Sequence, residues 1–369
     1  MGRYEISELV GNTGLVKKVD VLIIGLGPAG GAAAIAAARE GLSVLVVDRR
    51  KEVGVPVQCA EFIPLPMGKY AQSEGVILQR ITGMKSLLPS GAVEETEFPG
   101  LMIDRAAFDK ALANDAARFG AMLQLDSRLM KLDAAGSRAW VKTAHAEEEI
   151  EYHVLIAADG PHSTVAESLG LPELEIVYTR QYTVPLNQDY ADTDIWLSDA
   201  FPGGYGWLFP KGKFANLGLG ADKRFASDLK APLDALHSQL VTEGRVGAEI
   251  SYRTGGAIPV GGLREQLVVG NIMITGDAAG LTHPITGAGI SAGVVSGERA
   301  GQAAAAWLQD QDKNALADFE EDIRDQFETT LQRAVARRQW LNQHWKSETA
   351  QRDAMHRKGW IAFPEYFSA

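Results

Sequence analysis

One stretch, Val19 to Asp48, restricts the chain more than any other: VDVLIIGLGPAGGAAAIAAAREGLSVLVVD. Val21 to Ile24 is a continuous apolar run, the pattern of a parallel strand buried on both faces. Gly25, Gly27 and Gly30 then spell G-x-G-x-x-G, and an Ala-rich helical segment follows to Arg39. Gly41 stops that helix, Val44–Val47 forms a second apolar strand, and Asp48 ends it. Each position has a task. Gly25 permits the tight turn, Gly27 lets backbone approach a pyrophosphate, and Gly30 lets the helix lie close on the strand. The helix N-terminus presents unpaired N–H groups and a partial positive charge. Asp48, about 20 residues beyond the glycines, is placed to accept from a ribose hydroxyl. Glycines alone recur in many turns; strand, glycines, helix, strand and acid in this order mark a dinucleotide site.

Two later segments repeat the theme. YHVLIAADGPHSTVAESLG reads as a strand ending at Ala158-Asp159-Gly160, then a helix opened by Ser163 or Thr164. Ile272–Thr275 is a strand with Gly276-Asp277-Ala278-Ala279-Gly280 at its carboxyl end, and a small-residue helix begins near Gly287-Ala288-Gly289. Ligands of open α/β sheets bind at the carboxyl ends of strands, so Asp277 belongs with the first glycine loop. There its carboxylate is placed for a ribityl chain, and the helix start at Gly289 faces a developing anion. In LMIDRAAFDKALANDAARFGA, Asp104 is placed to cap a helix whose first turn carries Arg105. A cation there opposes the helix dipole, so an anion or an acidic neighbour is expected beside it.

Between these segments the α/β alternation breaks. Residues 67–98 read as small strands and turns, Gln124–Leu132 and Ala139–Lys142 as strands. From Leu171 to Ile258 strand-like runs dominate, apart from the amphipathic Leu229–Thr242. The expected organisation is an extension over 1–18 and a dinucleotide-binding α/β domain from 19–66, 97–170 and 262–312. A mainly antiparallel substrate domain would come from 67–96 and 171–261, and a helical tail from 313–369. Within the insert, Tyr205, Trp207 and Phe209 alternate, so in a strand their rings face one way. Gly218 and Gly220 alternate on the next strand. One reading is an aromatic-walled pocket with a glycine floor for a flat or apolar ligand. The other is a sheet packing aromatics on its own core, with glycines filling gaps. The loop RRKEVGVPVQCAEFIP carries Cys59, Ala60 and Glu61, and a cysteine in such a loop is commonly a small apolar filler.

Composition removes several classes. The single cysteine excludes an internal disulfide, a cysteine-only zinc site and an iron–sulfur cluster, and no metal site is expected. A net charge of −11 argues against a nucleic-acid partner. No apolar run approaches the roughly 20 residues of a membrane helix, and no convincing signal peptide precedes Val19, so a cytoplasmic address is expected. The tail places acids early (Glu320, Glu321, Asp322, Asp325) and bases late (Arg333, Arg337, Arg338, Lys346), as suits one long helix. Trp340, Trp345, Trp360, Phe363, Tyr366 and Phe367 gather at its basic end. They allow either peripheral membrane contact or burial against the protein's own core.

The Gly25–Gly30 loop, Ala158-Asp159-Gly160, Gly276-Asp277 and the R-x-x-F-D of Arg105 resemble the flavin-binding set of the p-hydroxybenzoate hydroxylase-type FAD fold. Within that superfamily, PVQCAE at Pro56–Glu61 and YGWLFPK at Tyr205–Lys211 followed by Gly218-x-Gly220 are similar to signatures of the geranylgeranyl reductase family. The resemblance implies an α/β FAD-binding domain, an inserted antiparallel substrate domain, FAD as cofactor and reduction of isoprenoid double bonds. It implies FAD contacts from Gly25, Gly27, Ala29, Gly30, Asp48, Arg49, Cys59, Ala60, Arg105, Leu129, Asp159, Gly160, Gly276, Asp277, Gly287, Gly289 and Ile290. It assigns Tyr205, Trp207, Phe209, Gly218 and Gly220 to the substrate, and makes Cys59 and Glu61 the nearest candidates for proton transfer. Tyr205 and Trp207 would stabilise cationic character on the alkene. NAD(P)H and reduced ferredoxin are both candidate electron donors. Phe62 departs from the glycine that archaeal members often carry after the glutamate, and would narrow the approach to the flavin. The rivals are a flavin monooxygenase or halogenase, a cluster-free quinone-linked dehydrogenase, and a non-enzymatic electron carrier. Tyr205 and Phe209 stand where the halogenase motif W-x-W-x-I-P has tryptophan and isoleucine.

Overall fold

The computed structural model describes residues 16–368, so residues 1–15 of the expected extension lie outside the described residues. The glycine-loop unit comprises β1 (Lys17–Ile24), α1 (Pro28–Arg39) and β2 (Val44–Val47), followed by β3 (Phe62–Pro64). β4 (Ile77–Leu87) and β5 (Val93–Ile103) lead into α2 (Arg105–Arg118). Next come β6 (Met122–Gln124), β7 (Arg128–Asp133), β8 (Arg138–Lys142), β9 (Glu147–Ala157) and α3 (Thr164–Ser168). The strand-rich stretch holds β10 (Ile176–Pro185), β11 (Asp192–Trp196), β12 (Gly206–Lys211) and β13 (Phe214–Ala221). It continues with α4 (Lys230–Thr242), β14 (Tyr252–Thr254) and β15 (Ala257–Pro259). β16 (Val268–Val269), β17 (Ile272–Ile274), α5 (Ile290–Gln309), α6 (Ala315–Asn342) and α7 (Asp353–Gly359) complete the order.

The first sheet runs β16-β17-β9-β1-β2-β6, with the β7–β8 hairpin paired to the first half of β9. β1 is parallel to both β2 and β9, and β17 is parallel to β9. The glycine loop, Ala158 and Gly276 therefore leave neighbouring strands at one end of the sheet, where α/β folds bind ligands. Val21, Leu22 and Ile23 are fully buried, as their unbroken apolar run requires. Two glycines fix the spacing above them. A Cβ on Gly30 would lie 1.9 Å from the Gly25 carbonyl oxygen, and one on Gly297 would lie 2.0 Å from the Ala29 carbonyl oxygen. The first lets α1 follow its loop tightly, and the second lets α5 touch α1 backbone to backbone.

The second sheet runs β14-β10-β13-β12-β11-β4-β5-β3, with β15 on β10. It is antiparallel except for β11 beside β4. One face receives α4, whose Leu233, Leu236 and Leu240 pack on Tyr182, Leu208 and Leu217. The other face carries Trp207, one residue out of phase with Leu208, in a cluster with Met84, Ile195 and Leu197.

Several sequence expectations change. Residues 77–103 form two 11-residue strands, not small ones, and register shifts after Ile77 and Ile81 hide their alternation. β5 crosses residues 96 and 97, and β4 and β5 lie in the same sheet as β10–β13. The expected strand Gln124–Leu132 splits into β6 and β7, because Asp126 adopts a left-handed φ of 48°. Lys17 and Lys18 already belong to β1 and pair with Glu148 and Glu151. Among the described residues, no helix is long and apolar enough to cross a membrane.

Candidate active site

α1 and α5 both begin at a glycine, Gly27 and Gly289, and neither has a side-chain cap, so backbone N–H groups are left for a ligand. A Cβ on Gly27 would meet nothing closer than Arg105 Nη2 at 4.0 Å, which leaves a cradle beside the loop. A phosphate-bearing cofactor fits these residues. Asp48 Oδ2 accepts from the Leu26 N–H at 2.6 Å and Oδ1 from the Arg50 N–H at 2.7 Å. The carboxylate thus braces the glycine loop, and its remaining lone pairs are what a ribose would use. Arg49 is exposed beside it, and Leu129 is buried on β7. Asp104 caps α2 through the Ala107 N–H. The acidic neighbour expected for Arg105 is Asp109, one helical turn on, at 2.8 Å. Burial would lower the guanidinium's pKa, but Asp109 and Cys59 hold it protonated.

Asp159 is tied into the turn that follows β9. Its carboxylate accepts from Ser163 Oγ at 2.6 Å and the Val165 N–H at 3.2 Å, so it secures the start of α3. Gly160 turns with φ of 84°. Asp277 Oδ1 accepts from Thr282 Oγ1 at 2.7 Å and would lie 2.9 Å from a Cβ on Gly289, so it sits against the start of α5 at Ile290. Burial pushes its carboxyl up. Gly276 and Gly287 both adopt positive φ around this loop.

The Cys59 loop lies between the two sheets and is fastened to the second. Glu61, with φ of 71° and 2% exposed, accepts from three directions. Lys211 Nζ approaches Oε2 at 2.6 Å, Asn216 Nδ2 at 2.8 Å, and the Arg105 N–H reaches Oε1 at 2.9 Å. Gln181 Nε2 donates to the Cys59 carbonyl at 3.0 Å, and Asn216 Nδ2 to the Ala60 carbonyl at 3.2 Å. Cys59 Sγ itself accepts from the Glu61 N–H at 3.2 Å. Burial pushes the thiol up, against the opposing pull of the Arg105 guanidinium. The Glu61 carboxylate thus fastens the end of the Cys59 loop to Lys211, Asn216 and the start of α2.

Trp207 Nε1 donates to Gln181 Oε1 at 3.2 Å, which ties the aromatic strand to the cysteine loop. The rings of Tyr205, Trp207 and Phe209 do face one way, with centroids 5.7 and 6.5 Å apart. Tyr205 Oη donates to the Thr286 carbonyl, in the loop before α5. The glycine floor is not open beneath them. A Cβ on Gly218 would lie 2.4 Å from Trp207 Cζ2, so the indole itself fills that space, as the core-packing reading has it. Gly220 is in ordinary contact distance of Thr179. Phe62 stacks on Phe98 at 5.7 Å and lies 6.1 Å from Phe209, closing that end of the stripe.

Sequence reasoning missed Lys211 as a partner for Glu61, and missed Gln181, Asn216 and His283. The adjacency of Lys211 to the Y-x-W-x-F-P run was the available signal for the first; the others carried none. His283 Nδ1 accepts from the Ile285 and Thr286 N–H groups at 3.3 and 3.2 Å. Burial lowers its pKa to about 4. The tail aromatics Trp345, Trp360, Phe363 and Tyr366 are buried, Trp340 is half-buried and Phe367 is exposed. Among the described residues no cluster of ligating side chains is arranged for a metal.

Residues 20–151 match the family described as FAD dependent oxidoreductase, and residues 175–256 match the geranylgeranyl reductase catalytic domain. The digeranylgeranylglycerophospholipid reductase of Methanococcus aeolicus is 34% identical over 316 residues, 78% of each chain. The chain belongs to the geranylgeranyl reductase family of FAD-dependent oxidoreductases. Digeranylgeranylglycerophospholipid reductase 1 of Methanothermobacter thermautotrophicus is 31% identical over 353 residues, covering 89% of this chain and 87% of its own. A geranylgeranyl bacteriochlorophyll reductase-like protein from Thermoplasma acidophilum superposes with TM-score 0.84 at 26% identity, over 96% of this chain and 94% of that one. The flavin-dependent halogenase CmlS shares the fold, with TM-score 0.71 at 17% identity over 91% and 67% of the two chains. The second matched segment contains the aromatic strand, and the first contains the glycine, cysteine and Arg105 loops.

Proposed function

We propose that this FAD-dependent oxidoreductase saturates carbon–carbon double bonds in the isoprenoid chains of a lipid. The observation that supports it is the hydrogen-bonded link from Trp207 through Gln181 to the Cys59 carbonyl. It joins an apolar aromatic surface to a loop bordering the flavin cradle, as an alkene placed against a hydride source requires. Reduced FAD, when bound, supplies hydride to one alkene carbon. Cys59 holds the proton for the other carbon, since its buried thiol stays protonated at neutral pH. Arg105 faces the sulfur and offsets the thiolate until solvent returns the proton. The faces of Tyr205 and Trp207 favour the positive charge that builds on carbon. Asp48, Arg105 and Asp277 would hold the cofactor, and the uncapped helix starts at Gly27 and Gly289 would offer N–H groups to its anionic parts.

The test is anaerobic incubation of the dithionite-reduced holoprotein with geranylgeranyl diphosphate and with a geranylgeranylated glycerolipid, read by mass spectrometry. Products heavier by pairs of hydrogens support the reading. An unchanged mass in both, or oxygen incorporation in air, overturns it. Stopped-flow reduction by NADPH and by reduced ferredoxin separates the two donors. Peripheral membrane contact falls to Phe367, 59% exposed, and equal vesicle flotation of wild type and Phe367→Ala removes it.

A further inference from the structure

The loop from His283 to Ala288 is the last stretch of backbone before α5 starts at Gly289, and it is tightly held. Its ends close on each other: the His283 N–H donates to the Ala288 carbonyl at 3.0 Å, and the Gly287 N–H to the His283 carbonyl at 2.9 Å. The His283 ring stitches the interior, with Nδ1 accepting from the Ile285 and Thr286 N–H groups. From outside, Tyr205 Oη donates to the Thr286 carbonyl. The peptide between Thr286 and Gly287 is therefore held at both ends, its oxygen by Tyr205 and its N–H by the His283 carbonyl. Gly287, with φ of 70°, has the backbone freedom that would otherwise let this amide turn over.

Packing fixes the direction of the Tyr205 hydroxyl. The ring stands edge-on to Trp207 and to Trp360, with centroids 5.7 and 4.9 Å apart, and both indoles are buried. Close-packed rings of this kind leave the phenol one orientation. Burial also pushes the phenol up, so the hydroxyl stays protonated and donating. The aromatic cluster is thus a rigid core that aims one hydroxyl at the loop before α5.

We propose that Tyr205 and His283 are positioning residues for the flavin, fixing loop 283–288 from outside and from within, and through it the backbone at Gly287 and Gly289. This rests on the reading of Gly287, Gly289 and Ile290 as part of the FAD site. The Asp277 carboxylate supports that placement, since its Oδ1 would lie 2.9 Å from a Cβ on Gly289. The Tyr205 hydroxyl acts on the cofactor through the loop and needs no contact with substrate. Losing one hydrogen bond to such a loop lowers the population of its competent form by roughly twofold to tenfold, and the apparent affinity for FAD falls with it.

The experiment dilutes the FAD-loaded full chain serially and reads released FAD by its fluorescence, with visible circular dichroism of the bound flavin as a signature of its surroundings. Tyr205→Phe keeps the ring and removes the hydroxyl. Its FAD dissociation constant is expected to rise roughly twofold to tenfold, with altered flavin dichroism. Tyr182→Phe removes another buried tyrosine hydroxyl from the α4 face of the same sheet, where Oη donates to Asp234 Oδ1 at 2.7 Å, and keeps both wild-type values. His283→Ala strands two N–H groups and weakens FAD as Tyr205→Phe does, whereas His283→Asn supplies an acceptor and restores the affinity. The His283 pair decides the matter if Tyr205→Phe does not fold. Wild-type FAD release in Tyr205→Phe or His283→Ala, or an equal change in Tyr182→Phe, overturns the positioning role and leaves the flavin site standing. A wild-type chain that retains no FAD removes both. Mass-detected reduction of a geranylgeranylated lipid is scored separately and bears on the proposed reaction alone.

Discussion

Lys211 Nζ lies 2.6 Å from Glu61 Oε2, joining the end of β12 to the turn after Cys59. The carboxylate is almost fully buried and the lysine mostly so. Removing either partner strands the other charge, at a cost of about 3 kcal/mol. Glu61→Ala and Lys211→Met are both expected to lower stability by about that amount in urea titrations at saturating FAD. Glu61→Gly suffers less than Glu61→Ala by roughly 1 kcal/mol, since φ of 71° burdens any side chain.

Gln181 bridges Trp207 and the Cys59 carbonyl, and an apolar Gln181→Met of similar length removes both bonds at once. Misplacing a reacting group by about 1 Å costs on the order of a hundredfold in rate. The expected result is a fall in kcat of roughly tenfold to a hundredfold with FAD still bound. Gln181→Glu restores the acceptor for Trp207 but not the donor for Cys59, and recovers only part of the rate.

The contact of α1 with α5 separates two glycines on one helix. A Cβ at Gly297 would collide with the Ala29 carbonyl at 2.0 Å, whereas one at Gly293 meets nothing closer than 3.8 Å. Gly297→Ala is expected to destabilise by about 2 kcal/mol or more and to reduce flavin content, measured as the ratio of flavin to protein absorbance. Gly293→Ala stays within about 0.5 kcal/mol of wild type.

His283 gives the fold a defined acid limit. Its pKa falls from 6.5 to about 4 because burial disfavours the charged ring. The folded state binds the proton more weakly than the unfolded chain, so the contribution is present above pH 6.5 and lost as pH falls toward 4. The loss is on the order of 3 kcal/mol across that window. His283→Asn, whose side-chain oxygen accepts from the same kind of turn N–H groups, flattens the dependence in denaturation series at pH 7 and pH 5.

Residues whose role is local are legible in the amino-acid order itself. Gly25, Gly27 and Gly30, the buried run Val21–Ile24 and the Asp104 cap depend on neighbours within a few positions, and periodicity and spacing carry such relations. The shared direction of Tyr205, Trp207 and Phe209 follows from strand geometry alone. Only the tertiary structure decided what those rings and the cysteine loop touch. Gln181, Asn216 and Lys211 reach Cys59, Ala60 and Glu61 across more than 100 residues of sequence, because β10, β12 and β13 of the second sheet lie against the loop before β3. The same holds for Trp360 against Tyr205 and for the indole that fills the space over Gly218. Backbone propensity and side-chain period act along the chain; hydrogen bonds and close packing act through space, so these partners were settled only when the second sheet formed and the distant loops packed on it.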